Sequence, residues 1–276
     1  ASDGFEQRKA LSEASGKNRG LGVAYHIKAT FGLPEENVEL RFDDDDKVTF
    51  TTGTQAIGQG HETSFPQIIS DLLGIAADDV RYQAGDTDLI AKGGGHGSSR
   101  ATFMAGTAIF MAAEQIKEKG RRIAAVMMEA AEADIDFSDG AFRIAGTDRH
   151  VGLMAVAAHA RQTGNSLDTY QEFTREHHTF PNGCHVAEVE VDPETGLVTL
   201  ERYTAVDDYG TVINPMLVEG QVHGAIAQGV GQALMEQAIF EGGTGQLLSG
   251  SFMDYSMPRA DDLPSFDVTL AGIPCA

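Results

Sequence analysis

From Val186 to Val206 the chain alternates apolar and polar residues, breaks once at Pro193-Glu194-Thr195-Gly196, and resumes the alternation. A period of two puts every second side chain on one face of a strand and scatters the same residues around a helix. The turn chemistry in the middle returns the chain on itself, so this stretch must form an antiparallel hairpin with one face on a core. A hairpin alone is marginal in water, so further strands or a helix have to cover that face.

The rest of the chain supplies both. Gly22 to Ile27 reads as a strand, and Val38 to Phe42 and Val48 to Thr52 read as a hairpin around the acidic turn Asp43 to Asp46. Phe65, Ile68, Ile69, Leu72 and Leu73 fall at helical spacing and stop at Gly74. Val80 to Gln83 is a short strand. A glycine-dense turn, Gly93 to Arg100, precedes a long alanine- and methionine-rich helix to about Lys119, with a second helix predicted over Arg121 to Ala133. Ile135 to Ile144 alternates around Asp139-Gly140, a hairpin signal, and Val151 to Thr163 is helical. Asn214-Pro215 places a cap and a first-turn proline ahead of a helix expected from about Met216 to Ala238. The fold class expected is α+β, with two lobes of mixed sheets packed with helices. The expected division is a helical extension over 1–20, a first lobe over 21–164, a linker over 165–182 and a second lobe over 183–276, truncated at its C-terminus.

Composition excludes several partners. Of 276 residues 41 are acidic and 20 basic, for a formal charge of −21, which repels nucleic acid and anionic membranes. No run of 18 apolar residues is present to span a bilayer, and no export signal opens the sequence. Two cysteines, Cys184 and Cys275, are too few for a disulfide scaffold or a cysteine-ligated cluster, which suits the cytoplasm.

Three segments have the makings of a ligand cradle. In Gly58-Gln59-Gly60-His61-Glu62-Thr63 a strand passes to a helix through glycines, leaving free amides at a helix start that carries about half a positive charge. It lacks the third glycine of a dinucleotide fingerprint and the lysine of a P-loop. The second segment, ending Gly97-Ser98-Ser99-Arg100-Ala101, adds hydroxyls, close backbone approach and an arginine able to grip phosphate bidentately. The third is helical: Gly220, Gly224, Gly229 and Gly231 each cost about 0.8–1 kcal/mol against alanine, which calls for a backbone or ligand packed closely on them. There Gln221 and Gln228, seven apart, share a face. Glycine turns capping helices, a serine N-cap and ordinary helix packing explain the same patterns without a ligand.

Catalytic groups are not evident. His61-Glu62 lacks the second histidine of a zinc-protease helix, His177-His178 has no defined partner, Cys184 has no activating neighbour, and no nucleophile elbow occurs. No side-chain metal ligands and no catalytic residue are assigned.

In order along the chain, GQGHET (58–63), the glycine-serine-arginine turn, VDPETG (191–196), INPMLVEGQVHGAIAQGVGQAL (213–234) and SFMDYSMP (251–258) resemble the second molybdopterin-binding region of the molybdenum hydroxylases. That family includes xanthine dehydrogenase, aldehyde oxidase and the large chain of carbon monoxide dehydrogenase. The resemblance covers nearly the whole chain. It implies that Gly58, Gln59, Gly60 and His61, the turn Gly97, Ser98, Ser99, Arg100 and Ala101, and Gln221 contact molybdopterin or its cytosine dinucleotide extension. It implies an oxidoreductase that hydroxylates aldehydes or N-heterocycles, or oxidises carbon monoxide, with water as oxygen source. The pterin dithiolene, not the protein, would hold molybdenum. Electrons would leave to iron–sulfur clusters and FAD in other domains or subunits. The family's catalytic glutamate, in a KGxGE motif, lies beyond Pro274-Cys275-Ala276, and neither Glu62 nor Glu236 replaces it, so these residues alone are expected to be inactive. A noncatalytic nucleotide- or anion-binding module and a structural interaction domain are the competing readings.

Overall fold

Segments rich in Val, Phe and Thr favour strands, and two main sheets built from them carry this protein. The structure, a computed structural model, describes residues 3–90 and 92–274. In order along the chain its elements are α1 (Phe5–Ala14), β1 (Asn18–Ile27), β2 (Glu35–Phe42), β3 (Val48–Thr52), α2 (His61–Leu73), β4 (Val80–Gln83) and α3 (Ala101–Met128). They continue with β5 (Ile135–Ser138), β6 (Ala141–Ile144), β7 (His150–Gly152), α4 (Leu153–Gln162), β8 (Thr169–Thr174), β9 (Asn182–Val191), β10 (Val198–Asp208), α5 (Pro215–Leu234) and β11 (Phe266–Leu270). Two compact units result: a split unit, Ala1–Lys28 with Phe180–Ala276, and a central unit, Ala29–Thr179.

The central unit is built on a sheet of order β4-β3-β2-β8 and a smaller antiparallel sheet β5-β6-β7. β2 and β3 form the expected hairpin, Val38 opposite Thr52 and Phe42 opposite Val48. Its core gathers Val38, Leu40, Val48 and Phe50 from the sheet with Phe65 and Ile69 of α2 and Ile109 and Ile116 of α3. Burying each such side chain stabilises by about 1.5–3 kcal/mol, which keeps α2 and α3 on the sheet face.

The split unit is a sheet of order β1-β9-β10-β11. The β9–β10 hairpin forms as its alternation requires, with one bulge between Leu200 and Arg202. Its apolar core is small: Leu200, Ala205, Val222, Ile226 and Val230, with Tyr203 and Phe266 packed alongside. Charge fastens the opposite face. Arg8 and Arg19 both hold Glu188, and Lys17 and Arg19 hold Glu190. This ties α1 and β1 to β9, 160 or more residues away in sequence.

The mixed α+β character matches the sequence reading, each main sheet having one parallel pair, β3–β4 and β10–β11. Four details differ. Residues 1–20 are not a separate helical extension, since α1 ends at Ala14 and β1 joins the later lobe by pairing with β9. Residues 165–182 are not a linker, because β8 completes the central sheet beside β2. Gly120 does not end the long helix; α3 runs unbroken to Met128 because Phe142 rests where a side chain on Gly120 would stand, 2.2 Å from its Cβ position. α5 stops at Leu234, short of Ala238, where the amides of Met235 and Glu236 both turn back to the Gly231 carbonyl.

Candidate cofactor-binding site

Two of the three cradles lie in the central unit, on loops that leave its main sheet. Gly60 begins α2 in the left-handed region, φ 78°, and no side chain caps the helix start. α3 likewise begins at Arg100 with no side-chain cap. The first amides of a helix have no partner inside it, and although the Thr63 amide turns back to the Gly60 carbonyl at 3.1 Å, both starts are anion-compatible ends. Ahead of α3, Ser98 and Ser99 take φ values of 65° and 59°. Each left-handed non-glycine residue costs about 1–2 kcal/mol, a cost that must be offset by the surrounding contacts.

Those contacts converge on Glu36. Its carboxylate is 2% exposed and accepts from Thr54 Oγ1 at 2.7 Å, from the Asn37 amide at 3.1 Å and from Arg100 Nη1 at 2.7 Å. Thr54 belongs to the strand exit leading to Gly58-Gln59-Gly60, and Arg100 closes the second turn, so one buried carboxylate ties both loops to β2. Arg100 also donates to the carbonyls of Leu33, Glu35 and Gly95. A Cβ on Gly94 would sit 2.4 Å from its guanidinium, and one on Gly53 would sit 2.3 Å from Gly93 Cα, so glycine permits both close approaches. Asn37 Nδ2 donates to the Lys92 carbonyl and Tyr82 to the Thr54 carbonyl. Burial pushes the Tyr82 hydroxyl up to about 12, so it remains a donor.

This corrects one expectation. Arg100 is fully buried with its donors engaged by protein oxygens, so it shapes the turn and cannot reach out to grip a phosphate. The other predicted positions remain available in different ways. Gly58 has open space where a side chain would be. Gln59 folds back, its Oε1 accepting from the Ile57 amide and its Nε2 donating to the Gln55 carbonyl. Gly97 and Ser99 are exposed, and Ala101 is buried in the first turn of α3. His61 is 4% exposed, stacks on Phe65 at 4.7 Å, and is held below the usual histidine range by burial. His61 Nδ1 and His96 Nδ1 are both buried without a hydrogen-bond partner. Such an orphan costs about 1–3 kcal/mol, which a ligand group at the turns would relieve.

Gln221, in the split unit, is exposed on α5. Asn214 caps this helix by accepting from the Leu217 amide at 3.1 Å, and Val222, Ile226 and Val230 face the sheet. On the outer side nothing lies within 4 Å of a Cβ placed on Gly220, Gly224 or Gly229. The compensation expected for these glycines therefore comes from no residue of the described chain. Gly231 differs, with Pro258 and Glu236 packed against it.

His177 and His178 are not a ligand pair; His178 Nδ1 meets the Thr30 carbonyl and its ring packs on Phe31. The Glu36 tie was missed in the sequence reading, although the signal existed: Glu36 shares the inward register of Val38, Leu40 and Phe42. Also missed were His26, His185 and Asp207, whose ligand atoms lie within 4.8 Å of one another. Cys275 lies outside the described residues, and Cys184 is a free, exposed thiol.

Residues 1–264 match the model of the molybdopterin cofactor-binding domain. The chain belongs to that family. It is 35% identical over 274 residues to the gamma subunit of the 6-hydroxypseudooxynicotine dehydrogenase complex of Paenarthrobacter nicotinovorans, covering 96% of this chain and 34% of the relative. It is 33% identical over 283 residues to the carbon monoxide dehydrogenase large chain of Afipia carboxidovorans, covering 95% and 35%. Among solved structures it superposes on quinoline 2-oxidoreductase from Pseudomonas putida 86 with a TM-score of 0.88 and 34% identity, over 99% of this chain and 37% of that one. This molybdopterin-binding chain thus spans about a third of the length of the relatives it matches. Among the described residues no helix is long and apolar enough to cross a membrane.

Proposed function

We propose that this chain is the part of a molybdenum hydroxylase large subunit that holds the cofactor by its phosphate-bearing extension and one side of its pterin. The observation that carries the reading is the pair of uncapped helix starts, at Gly60 and Arg100, presented by glycine turns tied to one buried carboxylate. Gly58, Gln59, Gly60 and His61, with Gly97, Ser98, Ser99 and Ala101, offer amides, hydroxyls and an unmet ring nitrogen to phosphate and pterin oxygens and nitrogens. Gln221 offers its amide from α5, where Gly220 and Gly224 leave room for a ligand to lie on the backbone. Arg100 keeps the second turn in shape rather than touching the ligand.

When bound, molybdenum in such a cofactor supplies the redox chemistry by which molybdenum hydroxylases oxidise aldehydes, N-heterocycles or carbon monoxide with oxygen from water. The residues present here bind and orient, and none of them is assigned a proton transfer. The cytosine dinucleotide form is favoured because two separate anion-compatible turns suit a ligand with two phosphates. Iron–sulfur and flavin carriers in other domains or subunits are what the family implies, and two cysteines are too few to ligate a cluster within these residues. Exposed apolar side chains such as Phe240, Phe252 and Met253, the last two 85% and 93% exposed, suit burial against the rest of a large subunit. A reducing compartment such as the cytoplasm accords with the exposed thiol of Cys184.

The test is analysis of the full-length protein from cells that make the cofactor. One molybdenum and one pterin per chain are expected, with cytidine monophosphate released on hydrolysis. A protein free of both metal and pterin overturns the reading, and pterin without the nucleotide overturns only its dinucleotide form.

A further inference from the structure

We propose that His26, His185 and Asp207 form a binding site for one divalent transition-metal ion on the sheet of the split unit, distinct from the cofactor cradles. The three residues come from β1, β9 and β10, and sheet register brings them together. Gly183 of β9 sits directly between His26 and Asp207, its partners on either side. A Cβ at Gly183 would fall 1.8 Å from Asp207 Oδ1 and 2.9 Å from His26 Cε1. The missing side chain is the space across which the two flanking residues reach each other. His185, two residues along on the same face, donates or accepts at Nε2 with Asp207 Oδ1 at 3.0 Å, and its Nδ1 meets the Tyr203 hydroxyl at 2.9 Å. The His26 and His185 rings meet edge to face at 5.5 Å.

Asp207 is fully buried, and its Oδ2 has no hydrogen-bond partner. A buried carboxylate left half-satisfied is costly unless positive charge stands beside it. The Tyr209 hydroxyl also hydrogen-bonds to this carboxylate but carries no positive charge. Two imidazole nitrogens and a carboxylate oxygen are ligands of the class chosen by zinc and its neighbours. Zinc bonds of about 2.0–2.1 Å place tetrahedral ligands roughly 3.4 Å apart. All three ligand atoms already lie within 4.8 Å of one another, so a rotation of exposed His26 closes the set. The Tyr203 hydroxyl on Nδ1 of His185 is the outer partner that orients a metal-bound imidazole. Solvent at His26 leaves a fourth position for water.

Zn2+ titration of the purified protein against a competing chromophoric chelator tests this, followed by X-ray absorption of the zinc-loaded sample. One site per chain is expected, with scattering from two imidazoles. His26→Ala, at an exposed position, should weaken it by more than the 10–100-fold typical of outer-shell partners. His150→Ala, an exposed histidine of the central unit, should leave it unchanged. Equal affinity in His26→Ala and the parent protein, or fewer than two imidazoles around zinc, overturns the proposal. Because His26→Ala removes no buried group, its outcome does not depend on whether Asp207 variants fold.

Discussion

Glu36 and Arg100 show how much of a binding loop can rest on one ion pair. Both side chains are fully buried, and their partners belong to the two loops, to the start of β2 and to Leu33 just ahead of it. Removing one member of such a pair leaves a charge uncompensated. Arg100→Ala should therefore cost about 3–5 kcal/mol, read as a shift of the urea midpoint. Arg100→Lys should recover little, because a point charge cannot serve four divergent acceptors. If Arg100 instead gripped the cofactor directly, Arg100→Ala would lower pterin content while leaving the stability of the cofactor-free protein unchanged.

At the scale of single helices, α5 and α3 use glycine for opposite reasons. The outer glycines of α5 face open space, so Gly224→Ala should stabilise the cofactor-free protein by up to about 1 kcal/mol through helix propensity. Gly224→Leu should keep the fold and lower the molybdenum and pterin content of the full-length protein, since it fills the backbone surface on which the ligand is proposed to lie. Gly120 of α3 faces a filled site. There Gly120→Ala should destabilise by about 1–3 kcal/mol from overpacking, and pairing it with Phe142→Leu should restore part of the loss. Denaturant titration of the single and double variants separates the two cases. The cap of α5 is conventional: Asn214→Ala should cost about 0.5–2 kcal/mol.

For the whole molecule, the small core of the split unit gives its charged face unusual weight. Hydrogen bonds from Arg8, then Arg19, hold the Glu188 carboxyl at about 2, and Lys17, Ser12 and Arg19 hold Glu190 at about 2. Both folded values lie below the ordinary 4.5. Their stabilising contribution is therefore complete above about pH 4.5 and is lost as the pH falls toward 2. The urea midpoint should drop through that window, and the drop should flatten in an Arg8→Ala/Arg19→Ala variant. The division into units makes a second prediction. Residues 29–179 are contiguous and enclose their own core, so that fragment should fold cooperatively alone, whereas 180–276 should need 1–28 added in trans to complete its sheet. A fragment 180–276 with native-like amide protection on β9 in the absence of 1–28 would contradict this.

Local chemistry carried much of this into the sequence. The β9–β10 hairpin, the β2–β3 hairpin, the start of α2 after Gly60 and the Asn214 cap all depend on neighbours within a few residues, where period, turn type and capping act directly. The two glycine turns of the central unit were legible for the same reason. What the tertiary structure alone decided involves partners far apart in the chain. Nothing near Asn18 says that β1 will pair with β9, and nothing near Thr169 says that β8 will complete a sheet with β2. Gly120 looks like a helix breaker until Phe142 occupies its face. Arg100 reads as a phosphate ligand until Glu36, 64 positions earlier, takes its charge. His26, His185 and Asp207 show no ligand spacing at all, because a sheet gathers them by register. Strand pairing and burial are set by the global packing of apolar faces, and a linear pattern records which residues want a partner without recording which partner they get.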